Sequence, residues 1–157
     1  MATDETHEGG CLCGQVRYRA VGDVKIAGVC HCRYCQVRVG SAFGVSTDFA
    51  EDDVSVLAGE LKPYGFTSES DKAWENKFCA NCGTTSFMRL EVFPGWVGIA
   101  AGTFDPLAFW FDLNAEVFTR SKEKFVGDIE APDHSPTFFS YDPKKAEAAR
   151  LIGTDKN

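Results

Sequence analysis

Seven cysteines stand in three tight clusters and nowhere else in the chain: Cys11-Leu12-Cys13, Cys30-His31-Cys32-Arg33-Tyr34-Cys35 and Cys79-Ala80-Asn81-Cys82. An apolar core does not require thiols at this density. A disulfide between Cys30 and Cys32, or between Cys32 and Cys35, would close a very small loop and strain its dihedral. A turn carrying several sulfurs can instead aim them at one point about 2.3 Å away, the zinc–sulfur distance. Structural zinc takes four ligands, and two short pairs drawn from distant parts of a chain supply four, as in zinc ribbons. The count therefore predicts one closed site on Cys11, Cys13, Cys79 and Cys82. Cys30, Cys32 and Cys35 are left as a second site with three protein ligands and one open position, the mark of a zinc that can meet a substrate. The alternative is a single four-sulfur site with three ordinary buried cysteines.

The rest of the composition suits a small metalloprotein. The chain has 157 residues, 44% apolar and 25% charged, and reads as one domain. Residues 1–9 read as a flexible tail and 10–157 as the zinc-binding domain. The acidic, polar start is unlike a secretory signal, and no apolar run approaches the 18 or so residues of a membrane span. Cysteines spaced for metal rather than for disulfides suit a reducing, cytoplasmic setting. A net charge of -7 argues against nucleic acid as a general partner and for a small ligand.

Along the chain, short strands alternate with turns, which predicts a mainly β fold. Val16, Tyr18 and Ala20 alternate with Gln15, Arg17 and Arg19, and Gly22-Asp23 marks a hairpin turn into a returning strand over 24–29. The stretch 33–39 reads as a short helix closed by Gly40. Further strands are expected over 42–47, 54–57, 64–67, 72–78, 84–90, 96–101 and 115–120. Ser68 to Asp71 reads as an exposed turn, 128–140 as irregular, and 143–152 as a short peripheral helix. Gly83 permits a tight turn after the last thiol pair. Asp48, Glu51, Asp52 and Asp53 read together as a solvated acidic turn, and Trp74, Trp96 and Trp110 as core or sheet-face residues. The run Leu107-Ala108-Phe109-Trp110-Phe111 is either a homodimer contact or part of the domain's own core.

Gly10-Cys11-Leu12-Cys13-Gly14-Gln15-Val16, the triplet followed by Gly40-Ser41-Ala42-Phe43, and Phe78-Cys79-Ala80-Asn81-Cys82-Gly83-Thr84 strongly resemble the glutathione-dependent formaldehyde-activating enzyme family, which also includes centromere protein V. The resemblance runs from about Gly10 to about Lys124. It implies a β-tent fold of small antiparallel sheets with zinc knuckles and two zinc ions per chain, partitioned as the count predicts. It also implies carbon–sulfur lyase activity on the adduct of glutathione and formaldehyde. The chain departs from the family pattern at Glu116 and Phe125, where many relatives carry histidine and tryptophan. It departs again at Gln36-Val37-Arg38, where an arginine pair is common.

The chemistry of the triplet points the same way. Three thiolates around an open zinc should acidify bound water less than three neutral histidines do, whereas soft sites suit an incoming thiol. The expected reaction is addition of a thiolate to an aldehyde carbonyl, or its reversal. His31 could donate a proton to the developing alkoxide, or simply hydrogen-bond nearby backbone. Arg33 and Arg38 are candidates to hold the carboxylates of a glutathione-like thiol, with a solvated surface as the alternative. Ser41 and Phe43 are candidates to line the pocket, Phe43 equally a core residue. No strong general base is identifiable. The competing function is a non-catalytic zinc module that carries a thiol or binds a protein.

Overall fold

The structure, a computed structural model, describes residues 4–143. The helix expected over 143–152 lies outside the described residues. Two sheets organise the rest. A three-stranded antiparallel sheet joins β1 (Thr6–Gly10), β2 (Arg17–Val21) and β5 (Val54–Ala58), with β2 in the centre.

The larger sheet takes in β3 (Ile26–Cys30), β4 (Gly44–Ala50), β6 (Leu61–Thr67), β7 (Ala73–Cys79), β8 (Thr85–Leu90), β9 (Trp96–Ala100), β10 (Ala115–Val117) and β11 (Asp133–His134). Its order is β11-β10-β3-β4-β9-β8-β7-β6. Neighbours are antiparallel except at one edge, where β10 runs parallel to both β3 and β11. The fold is mainly β, with the single short α-helix α1 (Arg33–Val39) among the described residues.

The alternation in β2 puts Tyr18 and Ala20 wholly inside and turns Arg17 and Arg19 outward to Asp105 and Glu8. Tyr18 and Ala20 meet Phe49, Phe87, Val97 and Ile99 of the large sheet and Phe104 of the loop after it, forming the main core. Side chains of this kind stabilise by roughly 1.5–3 kcal/mol each when fully buried. This packing explains why 15–29 does not form the expected hairpin. β2 faces the large sheet instead of pairing with β3, and Gly22, at φ 88°, starts the crossing from one sheet to the other.

Other expectations change too, and 128–140 is not wholly irregular, since β11 lies within it. Residues 6–9 are strand, not tail: β1 pairs with β2 from Thr6↔Val21 to Gly10↔Arg17, and His7 stacks on Trp110 at 3.6 Å. A Cβ on Gly9 would lie 2.3 Å from the Tyr18 hydroxyl, so only glycine lets β1 cross there. The strand expected over 115–120 stops at Val117, because Phe118 is left-handed (φ 56°) and a 3-10 turn follows. Ser68, expected in an exposed turn, is buried; its Oγ accepts from Lys72 N at 3.2 Å, and Asp71 makes the turn at φ 57°.

Of the apolar run at 107–111, Leu107, Phe109 and Trp110 are exposed, Trp110 stacking on His7 at the surface and not in the core. Among the described residues no helix is long and apolar enough to cross a membrane.

Candidate metal centres and the cavity beside one of them

The seven sulfurs converge in two groups, Cys11, Cys13, Cys79 and Cys82 in one and Cys30, Cys32 and Cys35 in the other. Within each group they lie within 4.8 Å of one another. The four-sulfur group joins the loop between β1 and β2 to the turn between β7 and β8, and so ties the two sheets together. Both loops turn on a glycine with positive φ, Gly14 at 78° and Gly83 at 77°, each donating its amide to the carbonyl of the first cysteine of its pair at 3.0 Å. The backbone then points amides at sulfur: Val16 N at Cys11 Sγ (3.2 Å) and Asn81 N at Cys79 Sγ (3.4 Å). The Thr84 hydroxyl and amide hold the Cys82 thiol well below its ordinary range, at about 5. Four sulfurs converging on one point fit one soft dication closely.

The triplet is built differently. Cys30 ends β3, Cys32 caps α1, and Cys35 lies in that helix's first turn, where its amide donates to Cys32 Sγ at 3.4 Å. Gly40 closes the helix in the left-handed region at φ 63°. Hydrogen bonds from the Cys30 and Cys32 thiols hold Cys35 well below the usual thiol range, and the Arg38 guanidinium adds attraction. The Cys30 thiol is pushed up, because it donates to that shared charge. Three sulfurs with one guanidinium beside them fit a soft cation that keeps a further position.

His31 lies between two of these cysteines, but its ring turns the other way. It is fully buried, with Nε2 at 2.8 Å from Glu116 Oε1, and its edge meets Phe43 at 5.7 Å. Glu116 also receives Lys122 Nζ at 2.8 Å and His134 Nδ1 at 2.7 Å. Burial by itself would raise the Glu116 carboxyl, but the bonds from Lys122, His31 and His134 outweigh it and bring the group to about 2. The backbone repeats the link, with His31 N donating to Val117 O at 3.1 Å. This network holds the loop that carries the triplet.

The triplet opens on a cavity above one face of the large sheet. Its floor is Gly28, Gly44, Ser46 and Gly98, so little side chain intervenes. Its walls include Trp74, Phe93, Phe118, Phe138 and Tyr141. The enclosed volume is about 90 Å³, less than the ~150 Å³ of a cavity that holds benzene, and suits a slim extended chain. Of the four substrate-contact candidates, Arg38 lines this cavity. Arg33 and Ser41 are exposed, and Phe43 borders a separate shallow depression on the far side of Arg38.

One lining residue escaped the sequence reading. The acidic stretch 48–53, expected as a single solvated turn, divides: Glu51, Asp52 and Asp53 are exposed, whereas Asp48 is 7% exposed and sits inside β4. In register, Cys30 faces Gly44, Gly28 faces Ser46 and Ile26 faces Asp48. Asp48 is thus on the same face as the triplet, about 13 Å along the strand from Gly44. Burial alone pushes its carboxyl up to about 7, and among the described residues it has no hydrogen-bond or ion-pair partner. The available signal was phase, since Asp48 follows Gly44 and Ser46 at two-residue spacing.

The chain is similar to several known proteins. The model of the family described as glutathione-dependent formaldehyde-activating enzyme matches residues 6–121. A Schizosaccharomyces pombe protein named an uncharacterized lyase is 32% identical over 81 residues, which are 52% of this chain and 56% of that protein. The match thus spans little more than half of the curated relative. A crystal structure of a Rhodobacter sphaeroides protein superposes with a TM-score of 0.49 at 21% identity, covering 66% of this chain and 95% of the other.

Proposed function

The chain belongs to the glutathione-dependent formaldehyde-activating enzyme family, and from that premise we propose that it is a zinc-dependent carbon–sulfur lyase. Its substrate would be the adduct of a glutathione-like thiol with a formaldehyde-like aldehyde. One observation carries the reading: the three-sulfur group faces a lined cavity, while the four-sulfur group ties two sheets together. The name of the yeast relative points to the same reaction class.

Cys11, Cys13, Cys79 and Cys82 would hold one zinc for the fold, and Cys30, Cys32 and Cys35 a second. At the triplet such an ion would supply a soft Lewis acid suited to thiol sulfur. In the synthetic direction the carbon–sulfur bond forms at the aldehyde carbon, the carbonyl π pair moves to oxygen, and a proton ends on that oxygen. Cleavage is the reverse. Arg38, whose charge acts on Cys35, offsets the negative charge gathered there. The wall of Trp74, Phe118 and Phe138 keeps bulk water from the reacting carbon. His31, committed to Glu116, serves the position of the cysteines.

X-ray absorption on zinc-loaded protein is the direct test. Added glutathione should raise the mean sulfur coordination, and the same sample should turn over the glutathione–formaldehyde adduct. An unchanged sulfur count at saturating thiol would refute the reading. Increased sulfur coordination without turnover of any thiol–aldehyde pair would favour a thiol-carrying module.

A further inference from the structure

Asp48 is a carboxylate that the mechanism above does not use and that the fold does not pair. It lies deep on the cavity face of β4, and nothing among the described residues donates to its carboxyl oxygens. The neighbouring strand makes room for it: a Cβ on Gly98 would stand 3.1 Å from Asp48 Oδ1. Leaving a carboxylate charged and buried without a partner costs several kcal/mol, so in the free chain it tends to hold a proton, and a cation from outside the chain would let it ionise.

We infer that Asp48 is a cation-binding subsite at the end of the cavity remote from the triplet, and that it takes the primary ammonium of the thiol whose sulfur sits at Cys30, Cys32 and Cys35. The inference rests on the open-metal reading and adds to it a requirement on the substrate.

Geometry sets which thiols qualify. The four-residue offset between Gly44 and Asp48 spans about 13 Å. After a metal–sulfur bond and a charge-assisted hydrogen bond, roughly 8 Å remains between ligand sulfur and ammonium nitrogen. An unbranched chain of about six to eight bonds covers that distance, and a three-bond aminothiol does not. The slim cavity admits such a chain when extended, with the glycines of the floor passing beneath it. Arg38 at the triplet end and Asp48 at the other give the cavity opposite charges at its two ends, the pattern that orients a zwitterion. The carboxyl pushed up to about 7 in the free chain agrees with a group waiting for its counter-charge.

Calorimetric titration of zinc-loaded full chain decides the matter, with glutathione, N-acetylglutathione and cysteamine as probes. In glutathione the ammonium is eight bonds from sulfur; in the acetylated form it is neutral; in cysteamine it is too near. Wild type should bind glutathione at least tenfold more tightly than either of the others. Asp48→Asn should lose about that factor for glutathione and bind the free and acetylated forms alike.

Equal binding of glutathione and N-acetylglutathione by wild type overturns the inference, and that comparison needs no variant to fold. A preference for glutathione that survives Asp48→Asn also overturns it. In both cases the open-metal reading stands if sulfur coordination rises with thiol. Absence of binding by all three probes, with sulfur coordination unchanged, overturns both.

Discussion

Replacing Glu116 by alanine should separate the two metal groups without touching a cysteine. Its side chain is 3% exposed and accepts from His31, Lys122 and His134 at 2.7–2.8 Å. Removing one member of a buried charged network leaves its partners uncompensated and typically costs about 3–5 kcal/mol. At roughly 2–4 °C per kcal/mol for a chain of this size, the melting temperature should fall on the order of 10 °C.

The acid side gives a second reading of the same contact. The Glu116 carboxyl lies near 2 in the fold against an ordinary 4.5, so its contribution, at most roughly 3 kcal/mol, is complete above about pH 4.5 and is lost as pH falls toward 2. Glu116→Ala should therefore lose that acid-dependent part of stability. Glu116 stands opposite Val29 on the parallel strand, next to the start of the triplet. The variant should thus release metal from the triplet faster while the four-sulfur group keeps its own. Calorimetric melting between pH 3 and pH 8, with metal release followed by a colorimetric chelator, measures all of this. A fall in melting temperature under about 3 °C, or equal loosening of both groups, would show that the His31–Glu116 contact does not hold the triplet.

Two further variants probe the remaining geometry. Cys13 and Cys79, 66 positions apart, are joined across the four-sulfur group; closing such a loop is worth about 4 kcal/mol, against about 2 for the few residues between Cys30 and Cys35. Cys79→Ser should therefore be insoluble or low-melting, whereas Cys32→Ser should fold with one zinc in place of two and fail to bind thiol; elemental analysis and melting curves of the two compare them. Gly98→Ala should crowd Asp48 Oδ1 and Met88 Cε, at 3.1 and 3.4 Å from the new carbon, and weaken glutathione binding several-fold with little change in zinc content. Unchanged affinity would mean that the Asp48 carboxylate is not where the ligand ends.

The parts of this molecule that could be read from its sequence are those in which cause and effect lie close along the chain. Two thiols and a glycine make a sulfur-presenting turn by themselves, so Cys11, Cys13, Gly14 and Cys79, Cys82, Gly83 were legible. The helix Arg33–Val39 was legible too, because its left-handed stop at Gly40 is local. β1 was not: its residues are polar, and what makes them a strand is pairing with β2 and the close crossing of Gly9 over Tyr18. Nor was the separation of β2 from β3 into different sheets, since alternation says which face is buried and not what buries it. Glu116 drew notice as a departure from the family, yet its partners lie 85 and 18 positions away at His31 and His134, beyond any local pattern.

Asp48 is the instructive case, because proximity in sequence misled. Beside Glu51, Asp52 and Asp53 it looks like the first member of an acidic turn, but a strand assigns sides with a period of two, and Phe49 lies wholly in the core on the opposite side. Once Phe49 is core, Asp48 must face the other way, with Gly44 and Ser46. Once Cys30 is a ligand, the pairing of β3 with β4 makes that face the one on which the open sulfurs stand. A carboxylate there is largely withdrawn from water and stands against Gly98. The same arithmetic that hides a residue from a compositional reading therefore places its carboxyl on the cavity face.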